Sequence, residues 1–108
     1  MKIIRTNRGN GKTTELVKKS NREWKYIICS DRGRVKVIED TARKLGLNIP
    51  FPITVKELPL RSPHIKSVLI DDVEDVLSYI VGKPIDYVTT SCEVEELNKE
   101  DNGGIKNV

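Results

Sequence analysis

Cysteine is nearly missing from this chain. Cys29 and Cys92 are the two it has, too few for the disulfide framework of a small secreted domain and without ligand spacing for zinc. Both read as small buried hydrophobes. Histidine occurs once, as His64 between Pro63 and Ile65, where it has no partner at metal-ligand spacing and reads as an exposed loop residue. Aromatic residues make up only 5%, and Trp24 and Tyr26, alternating along an expected strand, read as sheet-face packing. No apolar run approaches the roughly 18 residues of a membrane helix, and Met1-Lys2-Ile3-Ile4-Arg5 lacks the longer apolar stretch of a secretory signal. A cytoplasmic protein without membrane contact is expected. A strong excess of one charge is also lacking: the net charge is +3 against 16 acidic residues, a weak case for nucleic acid.

What is present suits one domain. A chain of 108 residues buries about 60 to 70% of the surface exposed when unfolded, and 37% hydrophobic with 32% charged residues fits a soluble, highly charged globule. Strand and helix patterns alternate. A first strand is expected over 2–6, a helix over 12–20, a strand over 24–29, and a helix over 33–45 with Val35, Ile38, Ala42 and Leu45 on one face and Gly46 as its stop. A short strand candidate at 53–55 precedes a proline-bearing surface connection at 57–63. The apolar run 66–70 ends in Asp71-Asp72, a third amphipathic helix spans 73–81 before Gly82, and a fifth strand is expected over 85–91. Thr90 and Glu93 have capping-box spacing, predicting a short helix over 92–100. The expected fold is α/β, a three-layer sandwich around a mostly parallel five-stranded sheet in the order 5-1-4-3-2 or a near variant. Residues 1–92 form the domain, and 93–108 form an acidic helix with a flexible tail.

The chemistry-bearing motif is Arg8-Gly9-Asn10-Gly11-Lys12-Thr13-Thr14, between the first strand and the first helix. Phosphate binding needs convergent backbone N–H donors, a close approach that glycine permits, a long cation, and a hydroxyl that helps hold Mg²⁺. Gly9 and Gly11 give the approach, Lys12 the cation and Thr13 the hydroxyl. Thr6 stands where the usual G-x-x-x-x-G-K-[ST] pattern has its first glycine. The plain alternative, a Gly-Asn-Gly hairpin turn, fits poorly because 12–19 lacks the alternation of a strand.

Asp71 and Asp72 end the run Lys66-Ser67-Val68-Leu69-Ile70, where a parallel strand delivers its carboxyl end and open α/β sheets bind ligands. Asp71 is the natural second-sphere partner of Mg²⁺, accepting from its waters and from Thr13, and Asp72 is placed to orient or deprotonate an attacking water. The plain reading of both is capping of the helix that follows, where a carboxylate contributes about 0.3 to 1 kcal/mol.

With these two motifs, residues 1–91 resemble the P-loop NTPase superfamily, with Walker A at 8–14 and Walker B at 66–72. The branch with an additional strand between the two motif strands is the nearest likeness. That branch usually carries Asp-Glu at Walker B, and Asp72 takes the Glu position with a shorter arm. The small size, without lid or appended domain, looks like miniature P-loop proteins of tailed bacteriophages, which implies a host-cytoplasm location for a viral protein of DNA metabolism. The resemblance implies a reduced P-loop core, binding of ATP with Mg²⁺, and a gamma-phosphate sensor at Thr89 or Ser91. A helix cap is the plain reading for Thr90. Arg32 and Arg34, after the second strand, correspond to positions that touch single-stranded nucleic acid in helicase-like relatives, or that act as fingers on a neighbour's nucleotide. Asp31 as a helix N-cap with solvated arginines is the ordinary alternative.

The resulting expectation is an ATP-binding protein, a slow Mg²⁺-dependent ATPase with Lys12 and Asp72 as catalytic groups, acting with a nucleic-acid-processing partner or as a homo-oligomer. A non-catalytic interaction protein that binds a host or viral ATPase is the alternative, since three helices leave apolar surface for a partner. GTP is a minor alternative, because Asn98-Lys99-Glu100-Asp101 matches the guanine-specifying N-K-x-D pattern literally.

Overall fold

Sequence periodicity and caps are followed most closely at α2 (Arg32–Leu45) in the computed structural model, which describes residues 1–7 and 10–97. Asp31 is its N-cap, extended in backbone and accepting from the Arg34 amide, and Gly46 closes it at φ 68, a left-handed conformation that a side chain disfavours. Val35, Ile38 and Ala42 are buried along one stripe, whereas Leu45 is exposed. α1 (Asn10–Glu23) is longer than the expected 12–20 and buries Val17 completely. α3 (Val73–Val81) ends at Gly82, also left-handed.

The core forms where α1 and α2 meet β2 (Ile27–Cys29), whose three residues are all buried, as a strand covered on both faces requires. Val17, Ile27, Cys29, Val35, Ile38 and Ala42 make one cluster, with Leu16, Leu47, Ile49 and Leu69 packed around it. β2 is the middle of a parallel three-stranded sheet. β3 (Ile53–Thr54) lies on one side, with Ile28 opposite Ile53, and β4 (Leu69–Ile70) on the other, with Ile27 opposite Leu69. A 3₁₀ turn, Val55–Glu57, follows β3. The expected strand at 24–29 is shortened at its start: Trp24 sits in the turn after α1 with φ 54 and 61% exposed, so it does not pack a sheet face.

The chain is α/β with parallel strands, as expected, but the single five-stranded sheet is replaced by two sheets. β1 (Lys2–Arg5) pairs in parallel only with β5 (Glu93–Glu96) among the described residues. Two sequence expectations are thereby corrected. The segment 85–91 has no regular structure, with Tyr87 and Val88 exposed, and 93–96 is a strand where a helix over 92–100 was predicted, with 98–100 outside the described residues. The reason is edge chemistry. β propensity reflects fit to a pleated, half-buried surface more than backbone preference, and β1 offers cations at both ends. Lys2 lies 3.8 Å from Glu93 and 3.2 Å from Glu95, and Arg5 lies 2.6 Å from Glu96. Opposite charges across a parallel pair favour Glu-Val-Glu-Glu over Ile-Asp-Tyr-Val. Between the two sheets lies a cleft of about 650 Å³ walled by β1, α1 and β4, with Lys12 and Asp72 among its lining residues. No described helix is long and apolar enough to cross a membrane.

Candidate functional site

Lys12 and Thr13 sit in the first turn of α1, and Asp71 and Asp72 directly after β4. The site is built by bringing these ends together. The Asp71 amide donates to the Ile28 carbonyl at 2.9 Å, so the sheet ladder fixes the backbone that carries the carboxylate. Asp71 is 2% exposed and Thr13 6%. The Thr13 hydroxyl donates to Asp71 Oδ1 at 3.3 Å. Lys12 Nζ lies 2.5 Å from Asp72 Oδ1. That hydrogen bond raises the Lys12 pKa against the opposing effect of burial, so the ammonium is charged at neutral pH.

Asp72 departs from a simple capping role. It occupies the N-cap position of α3 with φ 56 and ψ 77, and its side chain makes no capping hydrogen bond. Left-handed backbone is tolerated best by Gly, Asn and Asp, and costs about 1 kcal/mol or more elsewhere. Here it directs the carboxylate to Lys12. Glu74 and Asp75 stand in the first turn of α3. Burial and then the charges of Asp72 and Glu74 raise the carboxyl pKa of Asp75.

A third participant comes from α2. Arg34 Nη2 donates to Asp71 Oδ2 at 2.8 Å and to Thr13 Oγ1 at 3.1 Å, while its Nε reaches Asp71 Oδ2 at 3.2 Å. Asp72 Oδ2 is 3.9 Å from the same Nη2. Burial lowers the Arg34 pKa, and the hydrogen bond and charge of Asp71 outweigh it. Asp31 fixes the base of the arginine: its Oδ1 accepts from the Arg34 amide at 2.9 Å and its Oδ2 from the Tyr79 hydroxyl at 3.2 Å. The amide bond first, and Tyr79 after it, hold the Asp31 carboxyl below its ordinary range despite burial.

The sequence-predicted residues thus divide. Lys12, Thr13, Asp71 and Asp72 converge. Gly11 is exposed with open space where a Cβ would stand, so nothing among the described residues demands glycine there. Thr14 is half-buried on α1. Arg8 and Gly9 lie outside the described residues, as does the side chain of Asn10. Thr89 and Ser91 are exposed in the irregular segment and do not end a strand beside β1. Arg32 is exposed, whereas Arg34 faces Asp71. The role of Arg34 in this cluster was not evident from sequence. Its signal was position, three residues beyond an N-cap at the carboxyl end of a strand neighbouring the one that bears Asp71.

The donors fit a magnesium ion in chemical type. A carboxylate and a hydroxyl are hard oxygen ligands, and Mg²⁺ is commonly held by one or two such groups with water and phosphate completing the shell. Among the described residues no group of three or more His, Cys, Asp or Glu is placed to hold a metal unaided.

Cys29 lies beneath the site, its thiol 3.6 Å from the Asp31 carbonyl. Burial, then the charges of Asp71 and Asp31, push its pKa up to about 11. In the native protein iodoacetamide at pH 8 should therefore label Cys92, which is partly exposed, and leave Cys29 unmodified, because the thiolate is the reactive form. Peptide mapping showing Cys29 labelled at a comparable rate would contradict this burial. No family model, curated protein or solved structure matches this chain.

Proposed function

We propose that this chain binds ATP with Mg²⁺ at the start of α1 and hydrolyses it slowly, acting with a nucleic-acid-processing partner in the manner of a small phage-encoded P-loop protein. The observation that carries the reading is convergence. Two motifs separated by 58 residues in sequence meet through the Thr13–Asp71 hydrogen bond, with Lys12 on Asp72 beside it. A chance Gly-Lys-Thr has no reason to find an Asp-Asp strand end.

In the proposed cycle, Lys12 exchanges Asp72 for the beta- and gamma-phosphates, whose greater charge competes well for an ammonium. Asp72, released from Lys12, orients a water and accepts its proton as the water oxygen bonds to the gamma-phosphorus and the bond to the ADP oxygen breaks. Thr13 and Asp71 would hold Mg²⁺, which neutralises charge on the phosphate oxygens when bound. The short arm of Asp72 makes slow turnover the expected outcome.

Titration of a fluorescent ATP analogue tests the reading. Lys12→Ala should weaken Mg²⁺-dependent binding by at least about tenfold, roughly 1.4 kcal/mol. Gly11→Ala should leave stability unchanged or raise it by up to about 1 kcal/mol, since alanine is the better helix former, while weakening nucleotide binding by crowding the phosphates. Unchanged affinity in Lys12→Ala would end the assignment.

A second reading has its own support. Val73, Ile80 and Val81 of α3 are exposed, and Ile70 at the adjoining strand end is too. That apolar face suits a non-catalytic interaction module bound to a host or viral ATPase, or to a second copy. Binding of ATP with no phosphate release, even with single-stranded DNA added, would favour it. The N-K-x-D match at 98–101 lies outside the described residues, and competition between ATP and GTP decides the base.

A further inference from the structure

We infer that the Arg34 guanidinium holds the divalent-cation position of this site, so that a metal ion enters only by displacing it from Thr13 and Asp71. The inference rests on the nucleotide reading above and adds to it a resident competitor for the metal. Three oxygens define the position: Thr13 Oγ1 at 3.1 Å, Asp71 Oδ2 at 2.8 Å and Asp72 Oδ2 at 3.9 Å from one Arg34 nitrogen. The Thr13 proton is directed to Asp71 Oδ1, so a lone pair of that hydroxyl faces Arg34 Nη2. A metal ion needs the same lone pair and the same carboxylate.

Arginine cannot vacate the position by losing its proton. It must move, and its mutual repulsion with a divalent ion at this distance makes joint occupancy unfavourable. Lys12 does not take part in the contest, since it sits on the other carboxylate at Asp72 Oδ1. The Arg34 backbone stays anchored by Asp31, so the movement is a side-chain swing about a fixed base. Incoming phosphate supplies a destination, because a guanidinium fork matches phosphate oxygens as well as carboxylate. Nucleotide binding and metal entry would then be coupled through one side chain.

A purely structural ion pair, locking α1, α2 and β4 together, makes the opposite prediction for metal affinity. Its loss would loosen Thr13 and Asp71 and weaken any metal site, whereas loss of a competitor strengthens one. Free Mn²⁺ measured by electron paramagnetic resonance, in titrations of the full chain with and without ADP, separates the two. In the nucleotide-free series Arg34→Gln should bind Mn²⁺ at least tenfold more tightly than wild type, and with ADP the difference should narrow because phosphate already draws Arg34 away. Equal or weaker nucleotide-free binding by the folded variant, or no Mn²⁺ bound by either protein, overturns the inference.

Arg34→Gln leaves Asp71 buried without its cation, and the variant can fail to fold. The wild-type protein supplies a second measurement. Its Arg34 side-chain N–H resonances, with Nε–H beside Asp71 and Nη2–H beside Thr13 and Asp71, should shift on saturation with Mg²⁺ and ADP, and lose those contacts. Retention of the contacts with Mg²⁺ and ADP bound overturns the inference. The nucleotide-free Mn²⁺ series bears on Arg34 alone, while the effect of Lys12→Ala on ATP binding bears on the nucleotide reading, so the two can fail separately.

Discussion

Asp71→Ala should destabilise the fold by about 3 kcal/mol, the lower end of the roughly 3 to 5 kcal/mol observed when one member of a buried ion pair is removed. The lower end applies because the Arg34 side chain remains 29% exposed and regains some hydration. With each kcal/mol worth roughly 4 to 8 °C in a domain near this size, the melting temperature should fall by on the order of 15 °C. The loss is large for one carboxylate because three partners depend on it: the Arg34 fork, the Thr13 hydroxyl and the α1–β4 junction they bridge. Adding Arg34→Ala should recover part of the loss, since the double variant no longer carries an unpaired guanidinium. Coupling of this kind between contacting residues is typically about 0.5 to 3 kcal/mol. Denaturant melts of the four proteins measure it. Strict additivity would show that Arg34 and Asp71 do not interact in solution.

That pair also marks the limit of what could be read from sequence. α2 was legible because its information is local: Val35, Ile38 and Ala42 at helical spacing, Asp31 at the N-cap and Gly46 at the stop. α3 and Gly82 followed for the same reason. Thr13 and Asp71 were paired in advance because each belongs to a motif with a mechanical purpose. Arg34 is marked in the sequence only for nucleic acid or a neighbour's nucleotide, not for these partners. Its partners are 21 and 37 residues away, and no spacing rule connects them until two strands and a helix have packed. The β1–β5 pairing failed for a related cause. Ile85, Tyr87 and Val88 have the stronger strand composition, but an edge strand selects its neighbour by competition. Lys2 and Arg5 give the acidic strand a charge match that a reading of each segment alone does not weigh. The expected five-stranded sheet assumed that composition decides such contests.

Burial separates residues that composition treats alike, and a comparison of two isoleucines tests where the stability of this chain resides. Ile38→Ala should cost about 3 kcal/mol, within the roughly 2 to 5 kcal/mol typical of a fully buried aliphatic residue. Ile38 is 0% exposed and shares its cluster with Val17, Ile27, Cys29, Val35 and Ala42. Removing three carbons there leaves a cavity bounded by two helices and the central strand, none of which can collapse without moving the others. Ile80→Ala on α3, at 58% exposure, should change stability by no more than about 0.5 kcal/mol. Urea melts monitored by circular dichroism compare the two directly. The functional consequences should run in the reverse sense. Ile38 lies one turn beyond Arg34 on α2 and takes no part in the hydrogen bonds and ion pairs of Lys12, Thr13, Asp71 and Asp72, so the folded fraction of its variant should bind ATP as wild type does. Ile80 belongs to the exposed apolar face, and its variant should weaken any association made through α3. An Ile80→Ala variant that melts like Ile38→Ala would mean that α3 is covered in solution by a second copy, whose dissociation would then make the melt depend on protein concentration.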